Sequence, residues 1–238
     1  MHDQRKGSCN YEYVLIGRIV IYKFFDIKNL DEKIVAEYLP LMTDAKRERL
    51  LSVADPLTAS RILVSEMLAR QCLTKLCDAP EFAFQLLIRP DEKSAVTNFD
   101  AKISVVTCNE FVACCASKNN VGISVLKPAE FSFNDAQKML SDSEIRYLFS
   151  ESRQSLSDII KNDICDERDV VKKYAMLLSL KKAYHHAAGK VIMNNMSKVN
   201  FDISEDKVRC ADDNYSVQLF AYSEEMNLAY SIVERCKL

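Results

Sequence analysis

Along the chain, stretches in which side chains alternate every second residue give way to stretches with helical spacing, and this happens twice. Tyr13 to Phe25 is rich in β-branched and aromatic residues and predicts a strand. Leu30 to Leu39 predicts a short amphipathic helix stopped by Pro40, and Thr43-Asp44 is placed to cap a second helix carrying Lys46, Arg47 and Arg49. Pro56 suits a first helical turn, and Ile62, Ala69, Leu73 and Leu76 recur at helical spacing, so a long helix is expected to about Cys77 with that stripe facing a core. The period then shortens: Phe82–Ile88, Ile103–Thr107, Phe111–Ser117 and Val121–Leu126 read as strands of an antiparallel sheet.

The second round begins with Ser141-x-x-Glu144, a capping-box pattern opening a helix to about Ser150. Ser150 to Asp169 is polar and reads as a mobile excursion. Asp166 to Ala188 is the longest helical stretch, with Gly189 as its C-cap. Val199–Ile203, Val208–Cys210, Ser216–Tyr222 and Asn227–Val233 return to strand character. The layout is therefore strand, helices, strands, repeated, with the change near Asn119. It predicts an α+β protein made of two halves, 12–119 and 120–238, each a small antiparallel sheet packed on helices, with a cleft between them.

Composition narrows the chemistry. The 238 residues include four Gly and no Trp, against roughly 17 Gly at average usage of about 7%. Gly7, Gly17, Gly122 and Gly189 are too dispersed for a G-x-G-x-x-G turn or a G-x-x-x-x-G-K-[ST] loop, which excludes ordinary dinucleotide and P-loop sites. With 48% hydrophobic and 28% charged residues the chain can build a substantial core. Its net charge of -2 lacks the basic excess of a nucleic-acid or membrane-surface binder, and no run approaches a bilayer span, so neither partner is expected.

The nine cysteines contain no C-x-x-C, their number is odd, and no signal-peptide apolar core follows the N-terminus. Buried thiols in a reducing cytoplasm are the expectation, with no metal site: His185 and His186 are adjacent and diverge on a helix. Cys114 and Cys115 read as packed small residues rather than reactive thiols. The same two histidines are the only non-terminal ones, so no Ser/His/Asp or Cys/His nucleophile system can be assembled.

Three segments carry candidate chemistry. TDAKRER (Thr43 to Arg49) and LTASRILVSEMLAR (Leu57 to Arg70) place cations on neighbouring helices; VGISVLKP (Val121 to Pro128) leads into the second half; LLSLKKAYHHAAGK (Leu177 to Lys190) closes the long helix. Taken without any comparison, the cations are an ordinary solvated helix face, Leu178, Lys182 and His186 are one helix edge running from core to solvent, and Ser124 is a strand hydroxyl.

In this order and at these separations the segments resemble the Sfp-type 4′-phosphopantetheinyl transferases, over about Arg18 to Val233. That family is a pseudo-dimer of two α+β halves that moves phosphopantetheine from coenzyme A to a serine of a carrier protein. Its signatures are a G-[IV]-D-[IV]-E strand at the junction and a W-x-x-K-E-x-x-x-K helix downstream. The resemblance places the first on Gly122, Ile123, Ser124, Val125 and Leu126, and in the second it puts Leu178 at the Trp, Lys181 at the Lys, Lys182 at the metal-binding Glu and His186 at the second Lys. Ser124, Lys181, Lys182 and His186 are the catalytic positions so implied. Lys46, Arg49, Arg61 and Thr107 are the implied coenzyme A contacts, with Lys46 and Arg49 near its 3′-phosphate.

The three metal carboxylates are thus a hydroxyl, an aliphatic chain and a cation. Mg²⁺ takes oxygen ligands and is shared between carboxylates and substrate phosphate. The exchange moves the local charge by about four units against a divalent cation, so loss of Mg²⁺ is expected, with Lys182 able to pair directly with a phosphate oxygen. The resemblance implies a degenerate member that binds coenzyme A, an acyl or peptidyl carrier protein or another synthase subunit without normal transfer. Two alternatives stand beside it: an active transferase with a rearranged site, in which Glu130, Asp135 or Glu144 reaches the pyrophosphate, and a scaffold that neither binds nor reacts.

Overall fold

A computed structural model describes residues 11–14, 20–89, 94–152, 157, 161, 165, 167–189, 196–204 and 207–236. The chain divides into two compact units, one ending at Lys118 and the other beginning at Asn119. Both mix helices with small antiparallel sheets, so the α+β class holds.

In the first unit β1 (Tyr11–Val14) pairs antiparallel with β2 (Ile21–Asp26), Tyr11 opposite Phe24. The apolar run from Tyr13 to Phe25 is therefore two strands rather than one, with Gly17 in the interval between them. Two short helices follow, α1 (Glu32–Tyr38) and α2 (Asp44–Leu51). Asp31 caps α1 by accepting from the Ile34 amide, whereas Thr43 precedes α2 without a side-chain cap bond. α3 runs over Pro56–Cys77, with Asp55 accepting from the Leu57 and Thr58 amides at its start and Asp78 in the left-handed region (φ 52°) at its end. Ala69 and Leu73 are fully buried and Ile62 and Leu76 pack at the edge of the core, as their spacing predicts.

Phe82–Ile88 is not a full strand: a 3-10 turn covers Glu81–Ala83, Phe82 is 74% exposed, and only β3 (Leu86–Leu87) pairs, with β4 (Ala95–Val96). β5 (Lys102–Cys108) and β6 (Phe111–Ser117) form a hairpin whose turn is set by Asn109 in the left-handed region (φ 52°). The sheet order is β1-β2-β6-β5, all antiparallel, and α3 lies on it, burying Val64, Leu68 and Cys72 against Phe25, Val112 and Cys114.

The second unit opens with β7 (Val121–Leu126), which joins this unit's sheet and not that of β5 and β6. α4 (Phe133–Met139) and α5 (Asp142–Leu148) are short, and α5 carries the capping box read from Ser141 and Glu144. α6 (Arg168–Ala188) ends on Gly189, whose φ of 64° suits glycine and whose amide bonds back to the last turn. β8 (Phe201–Ser204) pairs with β9 (Lys207–Cys210), and β10 (Tyr215–Ser223) with β11 (Leu228–Arg235). Asn227, read as a strand residue, adopts φ 51° in the turn before β11. The polar segment between Ser150 and Asp169 lies largely outside the described residues.

The sheet order here is β10-β11-β7, and α6 lies on it. From β2 in one unit and β7 in the other, the fully described elements follow a like order of two short helices, a long helix, a small hairpin and two longer strands, the last of which is central: β2-β6-β5 and β7-β11-β10, with β1 added at the edge of the first sheet. None of the eight described cysteines is in a disulfide. No helix among the described residues is long and apolar enough to cross a membrane.

Candidate functional site

The predicted site residues fall in both units, and each unit is considered by itself. In the first, Lys46 projects from α2 towards α3. Its ammonium donates to both carboxylate oxygens of Glu66, at 2.9 and 3.1 Å, and to the Leu86 carbonyl at 2.7 Å. Glu66, 2% exposed, also accepts from Arg70 at 2.7 Å, and Arg70 donates onward to the carbonyls of Leu41, Glu81 and Phe84. Lys46 is therefore the outer arm of a buried Lys-Glu-Arg cluster that ties α2, α3 and β3 together. Two cations face one buried carboxylate, and carbonyls take most of the remaining protons, while the buried Arg70 Nε has no hydrogen-bond partner.

The other first-unit candidates are dispersed. Arg49 is exposed near the end of α2, and Arg47 pairs with Asp44 on its own helix. Arg61 donates from Nε and Nη2 to the Asn109 carbonyl, at 2.9 and 2.6 Å, which ties α3 to the β5–β6 turn. Thr107, half-buried, lies on β5 two residues before Asn109. Arg61 is thus tied to the β5–β6 turn, whereas Lys46 is engaged by Glu66 and the Leu86 carbonyl.

In the second unit β7 and α6 are pressed together at Gly122. A Cβ built there would come 2.1 Å from the Ala183 carbonyl and 2.5 Å from the Ala187 amide, so only glycine fits. Since alternate strand residues share a face, Ser124 and Leu126 lie on the same side of β7 as this contact, towards α6. Ser124 is 3% exposed and faces Ser231 of β11 across the sheet. On α6, Ser179 donates to the Ser124 carbonyl at 3.1 Å and His186 Nδ1 lies 2.9 Å from the Ile123 carbonyl. If the carbonyl is the acceptor, Nδ1 is the protonated nitrogen of that ring.

Lys182 sits between these two anchors, three residues after Ser179 and four before His186, hence on the same stripe of α6 beside β7. It is half-buried, and among the described residues it makes no ion pair and no hydrogen bond. A partly desolvated ammonium with no counter-ion favours an incoming anion.

Lys181, one residue earlier, has a different fate. It points into the core, wholly buried, where it meets Glu144 of α5 at 2.8 Å and donates to the carbonyls of Met196 and Val199 at 2.9 and 2.7 Å. Burial pulls its pKa below the ordinary lysine range, with Glu144 opposing. It holds α5, α6 and the approach to β8 together and has no access to a ligand in solvent. Glu144 is equally committed, accepting from the Ser141 and Phe201 amides. Of the carboxylates that might rebuild a metal site, Glu144 is therefore locked in the core, Asp135 pairs with Lys138 at the surface, and Glu130 is exposed.

The donor set beside β7 does not fit a divalent cation: a hydroxyl under α6, an aliphatic chain and an ammonium supply no anionic oxygen. Among the described residues no group of three His, Cys, Asp or Glu could hold a metal ion. Cys114 and Cys115 are wholly buried, and burial pushes the Cys114 thiol well up, which makes it a poor nucleophile. Sequence reading missed Glu66 and Arg70 as the partners that engage Lys46; their i, i+4 spacing on a helix otherwise apolar at that level was the available signal. No protein-family model matches the chain, and no curated protein matches it.

Proposed function

We propose that this chain is a phosphopantetheinyl-transferase-like protein, a pseudo-two-fold duplication of two α+β halves, that binds an anionic phosphopantetheine ligand without metal and without normal transfer. Its partner is an acyl or peptidyl carrier protein or another synthase subunit, with coenzyme A as the alternative small ligand, in the cytoplasm. The observation that carries this reading is Lys182: a half-buried cation lacking a counter-ion, aligned with β7 between two residues of α6 that bond to that strand. Support comes also from the like order of elements and strands in the two units, and from Gly122, whose missing Cβ lets the junction strand approach the motif helix.

In this reading Lys182 takes the charge-neutralising part that a metal plays in a working transferase. Binding then survives, while the stabilisation of charge developing during phosphoryl transfer is lost. The test is calorimetric titration of coenzyme A with and without Mg²⁺, together with mass spectrometry of an apo carrier protein incubated with both. Binding that is indifferent to Mg²⁺ and abolished by Lys182→Glu is expected, with no mass gain on the carrier. A Mg²⁺-dependent gain of one phosphopantetheine would overturn it.

A further inference from the structure

The three-stranded sheet of the second unit has two outer strands, and they are finished differently. On β7 the carbonyls of Ile123 and Ser124 are engaged by His186 and Ser179 of α6. On the other side β10, among the described residues, pairs with β11 alone. A strand paired on one side leaves half of its N–H and C=O groups pointing outward, which makes it a template for a further strand.

Such edges are ordinarily guarded by lysine, proline, short length or a bulge. β10, YSVQLFAYS, is the longest of the described strands at nine residues and contains no charged residue, Pro or Gly. Its guard is a bulge at Gln218, where the register with β11 shifts between Val217 and Leu219. The bulge leaves Leu219–Ser223 as a regular run, about 17 Å long at about 3.4 Å per residue. Every residue of β10 is half-buried while its neighbour β11 is almost wholly buried, so both alternating sets of side chains in β10 stay partly in solvent.

The regular run is its own complement. Phe220 and Tyr222 pair with Ser231 and Ala229 on the α6 face of the sheet, and Leu219, Ala221 and Ser223 stand on the opposite face. An identical strand laid antiparallel about a two-fold axis at Ala221 sets Phe220 opposite Tyr222 of the second copy, twice over. These are aromatic cross-strand pairs on one face, with Leu219 opposite Ser223 on the other. Glu224, just beyond the run, then falls opposite Gln218 and not another acid, and it is already paired with Lys172 and Arg168. A two-fold joint of this kind also closes, because the outer strands that remain are the two copies of β7.

We propose that β10 is a self-association edge: two copies of this chain join antiparallel through Leu219–Ser223 into one six-stranded sheet, in the order β7-β11-β10-β10-β11-β7. The joint is short, so association is weak and depends on concentration.

Sedimentation of the full chain from about 2 to about 200 μM tests it. The average mass is expected to rise towards twice that of the chain, and amide exchange at residues 219–222 to slow in step. Ala221→Lys brings two ammonium groups together at the axis and is expected to weaken association about tenfold or more. Ala221→Thr, neutral and suited to a strand, should keep it, and melting of both variants at low concentration checks that the fold is intact. A wild-type chain that stays monomeric overturns the proposal, whether another partner or nothing then covers the edge. So does a dimer that Ala221→Lys leaves unchanged, or one that forms without slowing exchange at residues 219–222.

Discussion

Lys181 lies 2.8 Å from Glu144 with neither side chain reaching solvent, the lysine on the long helix of its unit and the glutamate on the short one. In the first unit Lys46 and Glu66 make the corresponding contact at 2.9 Å with the charges exchanged: the lysine is on the short helix α2 and the glutamate on the long helix α3. In both, the ammonium also meets backbone carbonyls at or just before the small hairpin that follows.

Removing one member of the second pair should be severe. Lys181→Met leaves Glu144 charged in the core and is expected to cost about 3–5 kcal/mol. Adding Glu144→Gln, which removes the stranded charge but keeps an acceptor oxygen for only one of the Ser141 and Phe201 amides, should recover part of the loss. Urea denaturation of wild type, both singles and the double measures the cycle, and equal losses in single and double would show that the charge left behind is not the cause.

Gly122→Ala should destabilise the second unit by about 3 kcal/mol or more, because the new methyl meets backbone atoms of α6 that cannot yield as a side chain would. Gly189→Ala strains φ at 64° but meets nothing within 4 Å, so its cost should be about 1 kcal/mol. Thermal unfolding of the two variants side by side tests the order.

Glu81 gives a pH signature. Burial raises its carboxyl above the ordinary 4.5, against the pull of the Tyr38 hydroxyl donating at 3.1 Å. The native state therefore keeps that proton where the unfolded chain has released it, and the associated stability is present below pH 4.5 and lost as pH rises through the raised value. Glu81→Gln preserves an acceptor for Tyr38 and should melt higher than wild type at pH 7, with the difference closing below pH 4.5. A difference that does not change with pH would refute the assignment.

Ser124→Asp, Leu126→Glu and Lys182→Glu made together place carboxylates where the resemblance has its metal ligands. The triple variant should melt lower than wild type in chelator and regain stability on adding Mg²⁺, whereas wild type should show no response. Transfer of phosphopantetheine to an apo carrier by the variant alone would support the correspondence of β7 and α6 with the family's two motifs.

Much of the fold was legible because long elements announce themselves: the limits of α3 at Pro56 and Cys77 follow from proline at the first turn and the inward stripe, and α5 from its capping box. The pairing of strands was not legible. Val121–Leu126 has the same local character as its predecessors, and only its register with β11, Ser124 opposite Ser231, assigns it to the second sheet. The continuous β-branched and aromatic run concealed the division into β1 and β2, and Phe82, apolar but exposed, imitated a longer strand than the chain makes there.

At the site the identities of Ser124, Lys182 and His186 could be read, and so could their departure from a metal-binding set. Which of two adjacent lysines enters the core could not, since that depends on the phase of α6 against β7, fixed by Gly122. Nor could the engagement of Lys46, because its carboxylate partner is twenty residues away on another helix.

The cysteine thiols turn the molecule into its own unfolding reporter. Cys72, Cys114 and Cys115 lie inside the first unit and Cys165 and Cys210 inside the second, while Cys77, Cys108 and Cys236 are partly accessible. A thiol reagent should modify the accessible group at once and reach the others only as each unit opens. Peptide mapping of the labelled chain would then time the opening of each half separately, with no engineered probe.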